Sequence, residues 1–261
     1  MFLFGTNLKM HQTPHQTRAF IRALRERLAA APNIGLAELW IAAPYTSLEA
    51  AAEAAQGSPI MIGAQNMHWA DEGAFTGEIS PPMLKACGAQ FVMLGHAERR
   101  TLFGETDDAL NQKALAAARH GLKVMLCVGE PLAVKEAGAG ADYVAQQLKL
   151  DLRGFQAFDR LLILYEPIWS VGAGGTPADP TYVSSAFDAI RRVLRHLCGA
   201  SGERVPLLYG GSVDAANCAQ YARLAQAAGM GIGRAGWSVD SFITVLANAL
   251  AARQSHTTGT T

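Results

Sequence analysis

Short, almost unbroken apolar runs alternate along this chain with longer stretches whose apolar residues recur at helical spacing. The runs predict eight strands, at residues 2–7, 37–43, 60–64, 90–94, 122–128, 161–165, 205–209 and 229–233. The longer stretches predict helices at 16–30, 46–56, 81–87, 106–119, 131–152, 179–197, 214–227 and 238–252. Several carry start signals: Thr106 before Asp107 and Asp108, Asp179 before Pro180, and Ser238 before Asp240. Strict strand–helix alternation implies right-handed crossovers and a parallel sheet. Eight such units suit a single-domain α/β structure, a closed (β/α)8 barrel over residues 1–254. An open dinucleotide-binding sheet would need a GxGxxG turn after the first strand, where this chain has Gly5-Thr6-Asn7-Leu8-Lys9. Residues 255–261 are polar and are expected to form a disordered tail.

Composition narrows the picture further. The chain has 261 residues, half of them hydrophobic, and 22 basic residues against 22 acidic ones. That length supports one sizeable core. Zero net charge and the lack of a basic stripe argue against nucleic acid, so attraction to an anionic substrate has to come from local groups. No apolar run reaches membrane-spanning length, and the N-terminus lacks the basic and long apolar regions of a signal peptide. Cys87, Cys127, Cys198 and Cys218 have no metal-site spacing and read as the reduced thiols of a cytoplasmic protein.

In a barrel, chemistry gathers at the C-terminal ends of the strands. The sixth run, Leu161 to Tyr165, leads straight into Glu166-Pro167-Ile168-Trp169. Poor solvation at such a strand end favours a protonatable carboxyl, the situation of a general base. The glycine-rich segment Val171 to Pro177 that follows suits a closing lid, or an ordinary connector. Lys9 is a cation for an oxyanion or phosphate, a Schiff-base nucleophile, or a plain surface lysine. His96 is a structural histidine or, at a helix start, a neutral hydrogen-bond donor. Glu98 is a partner for Lys9 or a solvated helix-start acid. Gly210-Gly211-Ser212 reads as an anion-binding turn or a connector, and Gly231-Ile232-Gly233 one unit later favours the first reading.

Taken together, the motifs resemble the triosephosphate isomerase family, and they cover nearly the whole chain. They are Gly5 to Met10, Gly63-Ala64-Gln65-Asn66, Gly73 to Ser80, Gly95-His96-Ala97-Glu98-Arg99-Arg100, Phe103 to Asp107, Cys127-Val128-Gly129-Glu130, Tyr165 to Trp169 and Tyr209 to Val213. The resemblance implies a TIM barrel that interconverts dihydroxyacetone phosphate and glyceraldehyde 3-phosphate through an enediolate, without metal or organic cofactor. It implies that Glu166 is the base and His96 the electrophile, an arrangement already known for the family. Lys9 and Asn7 would stabilise the enediolate, with Glu98 supporting the lysine. Gly172, Gly211, Ser212 and Gly233 would bind phosphate, and Thr76 would reach across a homodimer interface. The family places such an enzyme in glycolysis and gluconeogenesis.

Some positions depart from the family's usual residues. Arg234 replaces a glycine at the turn after strand eight, where it could add a phosphate contact, point outward or occlude the pocket, and Trp237 crowds the same region. Gly175-Thr176-Pro177 alters the lid's second hinge, loosening one position and stiffening another. Ala97 replaces a serine, Leu8 a tryptophan, and His68-Trp69 is unusual. These changes make a four-carbon ketose phosphate, such as an erythrulose phosphate, the alternative substrate; lineage drift is the plain reading. A Schiff-base aldolase and a catalytically silent sugar-phosphate sensor are the remaining alternatives.

Overall fold

The computed structural model describes residues 2–31, 34, 37–172 and 174–258. Eight strands, β1 (Phe2–Asn7), β2 (Ala37–Ala43), β3 (Ile60–Ala64), β4 (Phe91–Leu94), β5 (Lys123–Val128), β6 (Leu161–Tyr165), β7 (Leu207–Tyr209) and β8 (Ala227–Ile232), close into a barrel in sequence order. Every neighbouring pair is parallel, and β1 closes the ring against β8 with Gly5 beside Gly231. The strands read as solid apolar runs because both faces are covered. One face meets the surrounding helices and the other fills the barrel interior. All residues of β1 and β6 are buried.

The interior is a separate small core. Trp40 and Phe91 meet edge to face there, 6.1 Å apart, in one cluster with Leu3, Met125 and Leu162. Each large side chain fully removed from water contributes roughly 2–3 kcal/mol. The outer core packs the helices onto the strands and runs through Phe4, Ile21, Leu110, Phe187 and Phe242.

The helices are α1 (Pro14–Ala29), α2 (Leu48–Ala55), α3 (Pro81–Ala86), α4 (Ala97–Leu102), α5 (Asp107–Arg119), α6 (Leu132–Glu136), α7 (Gly140–Asp151), α8 (Pro180–Cys198), α9 (Cys218–Ala222) and α10 (Val239–Thr258). The expected caps form: Thr106 accepts from Ala109 N–H, Asp179 from Thr181 N–H, and Ser238 from Ser241 N–H.

Three expectations differ from the structure. The helix expected over 131–152 is two helices, broken where Gly138 takes a φ of 71°. The helix expected over 214–227 shrinks to α9, because Asp214 and Asn217 hold the preceding residues in a side-chain-bonded turn. A short helix, α4, follows His96, which agrees with the helix-start reading of that residue. The stretch expected to be a disordered tail is helical as far as Thr258, and residues 259–261 lie outside the described residues. No helix among the described residues is long and apolar enough to cross a membrane.

Candidate active site

The C-terminal strand ends surround a cavity of about 780 Å³. Its lining includes Asn7, Lys9, His96, Glu98, Glu166, Gly172, Gly211, Ser212, Gly233 and Arg234, ten residues singled out from the sequence. Thr76 does not line it. That residue is exposed in the long loop after β3.

β1 ends at Asn7, and the chain then bends sharply. Lys9 takes a φ of 50°, a left-handed conformation that costs a side-chain-bearing residue roughly 1–3 kcal/mol. Four hydrogen bonds hold the bend. Lys9 N–H donates to Asn7 Oδ1 at 2.8 Å, and Leu8 N–H to the Ala42 carbonyl at 3.0 Å. Gln65, directly after β3, donates to the Lys9 carbonyl at 2.9 Å and also reaches the Ala42 carbonyl at 3.2 Å. The Lys9 ammonium meets Glu98 Oε1 at 2.7 Å, which settles Glu98 as its partner rather than a free helix-start acid.

His96 caps α4 and is 4% exposed. Its Nδ1 accepts the Glu98 N–H at 3.2 Å, which leaves the ring proton on Nε2. Nε2 lies 3.6 Å from Glu166 Oε1. Glu166 is 5% exposed, and its Oε2 has no hydrogen-bond partner among the described residues. Gly210 makes room for this carboxylate: a Cβ there would sit 2.8 Å from Glu166 Cγ. Close to Glu166 lies the buried Cys127. Burial, and after it the Glu166 carboxylate, pushes its thiol well above the usual range.

The glycine-rich segment after β6 is tied at both ends. Trp169 donates from Nε1 to Glu130 Oε1 at 2.8 Å, and the fully buried Glu130 also accepts from the Tyr165 and Tyr182 hydroxyls. The Lys135 ammonium lies over the Trp169 ring at 3.7 Å. At the second end the Tyr209 hydroxyl accepts from Ala178 N–H at 3.3 Å and pairs with Ser170 Oγ at 3.2 Å. Gly175 does not simply loosen this hinge. Its Cβ position is 2.5 Å from the Ser170 carbonyl, so close packing requires a glycine there. Ala173 lies outside the described residues.

The turn after β7 differs from a set of free N–H groups. Ser212 N–H donates to Ser170 Oγ at 3.2 Å, and Ser212 Oγ donates to the Ser170 carbonyl at 2.9 Å. Beyond β8, Arg234 is exposed at the cavity wall, and its guanidinium has no hydrogen bond or ion pair to the described residues. Trp237 also lines the cavity, and its Nε1 donates to the Asn7 carbonyl at 3.0 Å. His68 and Trp69 stay away from the cavity. They stack on each other at 4.1 Å, and Phe75 closes on His68 at 4.3 Å, which organises the loop after β3.

The family model for triosephosphate isomerase matches residues 2–249. The chain belongs to the triosephosphate isomerase family. It is a sugar-phosphate isomerase by that membership. Two curated members of the family show how near it stands to two activities. The L-erythrulose-1-phosphate isomerase of Rhizobium rhizogenes is 38% identical over 253 residues, covering 96% of this chain and 95% of its own. The triosephosphate isomerase of Acetivibrio thermocellus is 41% identical over 239 residues, covering 90% and 93%. Among solved structures, the triosephosphate isomerase of Bartonella henselae superposes with a TM-score of 0.85 at 32% identity, covering 94% of this chain and 98% of that one.

Sequence reasoning passed over Gln65, Glu130, Ser170 and His11. Gln65 carried a signal: it is the polar residue at the end of β3, the kind of position that was collected for the other strands. Glu130 sits just beyond β5 in a quoted motif, but its three aromatic donors come from distant segments.

Proposed function

We propose that this chain isomerises a short ketose phosphate through an enediolate, with the interconversion of dihydroxyacetone phosphate and glyceraldehyde 3-phosphate as the primary reaction. One observation carries the reading. A buried carboxylate with an unpaired oxygen faces the Nε2–H of a histidine, beside a lysine, in one cavity.

Glu166 takes a proton from the carbon next to the substrate carbonyl. His96 donates its Nε2–H to the carbonyl oxygen as negative charge develops there, and passes protons between the two oxygens. Lys9 and the Asn7 amide stabilise the enediolate, and Glu98 holds the lysine in place. Glu166 returns its proton to the neighbouring carbon. No atom is gained or lost. Gly172, Gly211, Ser212, Gly233 and the unpaired Arg234 guanidinium receive the phosphate, and the lid keeps water from the intermediate.

The second reading is a four-carbon ketose 1-phosphate, favoured by Arg234 and Trp237 at the wall and by the erythrulose-phosphate relative. In a tetrulose 1-phosphate, the carbon that loses its proton bears an added hydroxymethyl group. The same shuttle then moves the ketone from C2 to C3 and yields a tetrulose 4-phosphate. NMR in deuterated water with dihydroxyacetone phosphate and L-erythrulose 1-phosphate separates the two. Deuterium on the carbon beside the carbonyl, with product at an enzymatic rate, is expected for the true substrate. If neither substrate gains deuterium, the reading falls.

A homodimer is part of the proposal. Met10, Tyr45, Phe75, Met83, Leu102 and Phe103 are exposed apolar residues in the segments following β1 to β4, and Phe75 precedes Thr76 in the chain. Exposed apolar side chains in consecutive strand–helix connections suit a second copy of the chain. Sedimentation equilibrium should give twice the chain mass. The four free thiols suit a cytoplasmic setting, and the triose reaction would place the enzyme in glycolysis and gluconeogenesis.

A further inference from the structure

We infer that His11 and Trp237 are specificity-determining residues that receive the hydroxymethyl group distinguishing a four-carbon ketose phosphate from a three-carbon one. The inference rests on the isomerase reading above and names what selects its substrate.

Both side chains line the cavity, and their rings pack against each other with centroids 4.1 Å apart and planes tilted by 44°. They arrive from opposite ends of the chain, one from the bend after β1 and the other from the turn after β8. Trp237 is fixed by its Nε1 hydrogen bond to the Asn7 carbonyl. Asn7 also holds Lys9 through its side chain, so the indole abuts the segment that presents both groups to the reacting carbons. His11 is held from both sides. Lys9 and Gln12 flank it in left-handed conformations, with φ of 50° and 68°, and Ser47 Oγ donates to the Gln12 carbonyl at 3.2 Å. Strain of this kind persists only where the surroundings hold it, and it concentrates at ligand sites.

The pair offers two kinds of contact. The indole and imidazole present flat apolar surface to the C–H bonds of an added carbon. The His11 ring nitrogens have no hydrogen-bond partner among the described residues, so they are available to a terminal hydroxyl. Dihydroxyacetone phosphate has nothing at this position to exploit either contact. A tetrulose 1-phosphate does.

The test measures kcat/KM for L-erythrulose 1-phosphate and dihydroxyacetone phosphate with wild type, His11→Ala, Trp237→Leu and Trp237→Phe. One well-packed carbon discriminates by roughly 10- to 200-fold. Trp237→Leu should therefore lower the four-carbon to three-carbon ratio at least about tenfold. His11→Ala, which deletes one hydrogen bond of about 1 kcal/mol, should lower it about fivefold. Trp237→Phe keeps an aromatic wall and should restore most of the ratio. His11 is exposed, so its variant reads the wall even if Trp237→Leu fails to fold. A ratio that stays within about twofold in every folded variant overturns the inference while leaving the isomerase standing. A wild type that turns over neither substrate overturns the isomerase reading, and this inference with it.

Discussion

Gln65→Ala tests whether the strained bend at Lys9 is held from outside. Gln65 Nε2 donates to the carbonyls of Lys9 and Ala42. The Ala42 carbonyl keeps the Leu8 N–H at 3.0 Å when Gln65 is shortened, so only the Lys9 carbonyl loses its sole protein donor. Each bond contributes about 1 kcal/mol net, and water replaces part of it at this half-buried site. The variant should therefore lose about 1–2 kcal/mol of stability, measured by urea unfolding. The conformation it releases, at a φ of 50°, itself costs roughly 1–3 kcal/mol. Without its restraint the Lys9 backbone relaxes, and the ammonium leaves its place beside Glu98. If the lost 1–2 kcal/mol falls on the positioned state, kcat/KM drops about five- to thirtyfold, since about 1.4 kcal/mol is tenfold. A variant destabilised as expected but with unchanged kcat/KM would refute the reasoning, because Lys9 would then be positioned without Gln65.

Other consequences follow from the same geometry. Glu130→Gln replaces a buried acceptor of three donors by a group that is half donor, and should lower unfolding free energy by about 2–3 kcal/mol; a wild-type urea midpoint would contradict this. Cys127 is buried and its thiol is pushed up, so no thiolate is presented at pH 8. Iodoacetamide with mass spectrometry should label it only after unfolding, and native labelling at the unfolded rate would count against the buried position beside Glu166.

Much of this architecture is legible in the chain because its signals are local. Strand runs such as Phe2 to Asn7 and Leu161 to Tyr165 need only a buried parallel sheet to explain them. The polar residues at their ends then fall into one cavity by topology alone. What the pattern does not carry is how segments meet. The helix at 214–227 was overread because Ala215, Ala216, Ala219 and Ala222 look helical, while Asp214 and Asn217 bind their own backbone. Gly175 looked like a source of slack, but its neighbour in space is the Ser170 carbonyl. The ring contact of His11 with Trp237 joins residues 226 positions apart, and no periodicity encodes it.

The most direct measurement is solvent deuterium incorporation into the substrate by wild type and by Glu166→Gln, each checked for a native fold by circular dichroism. Wild type should place deuterium on the carbon beside the carbonyl as product forms. The glutamine variant keeps the shape but has no base, and should be slower by at least about a hundredfold, the lower range for a positioned acid–base group. Exchange at the wild-type rate in that variant would contradict the assignment of Glu166 as the proton carrier.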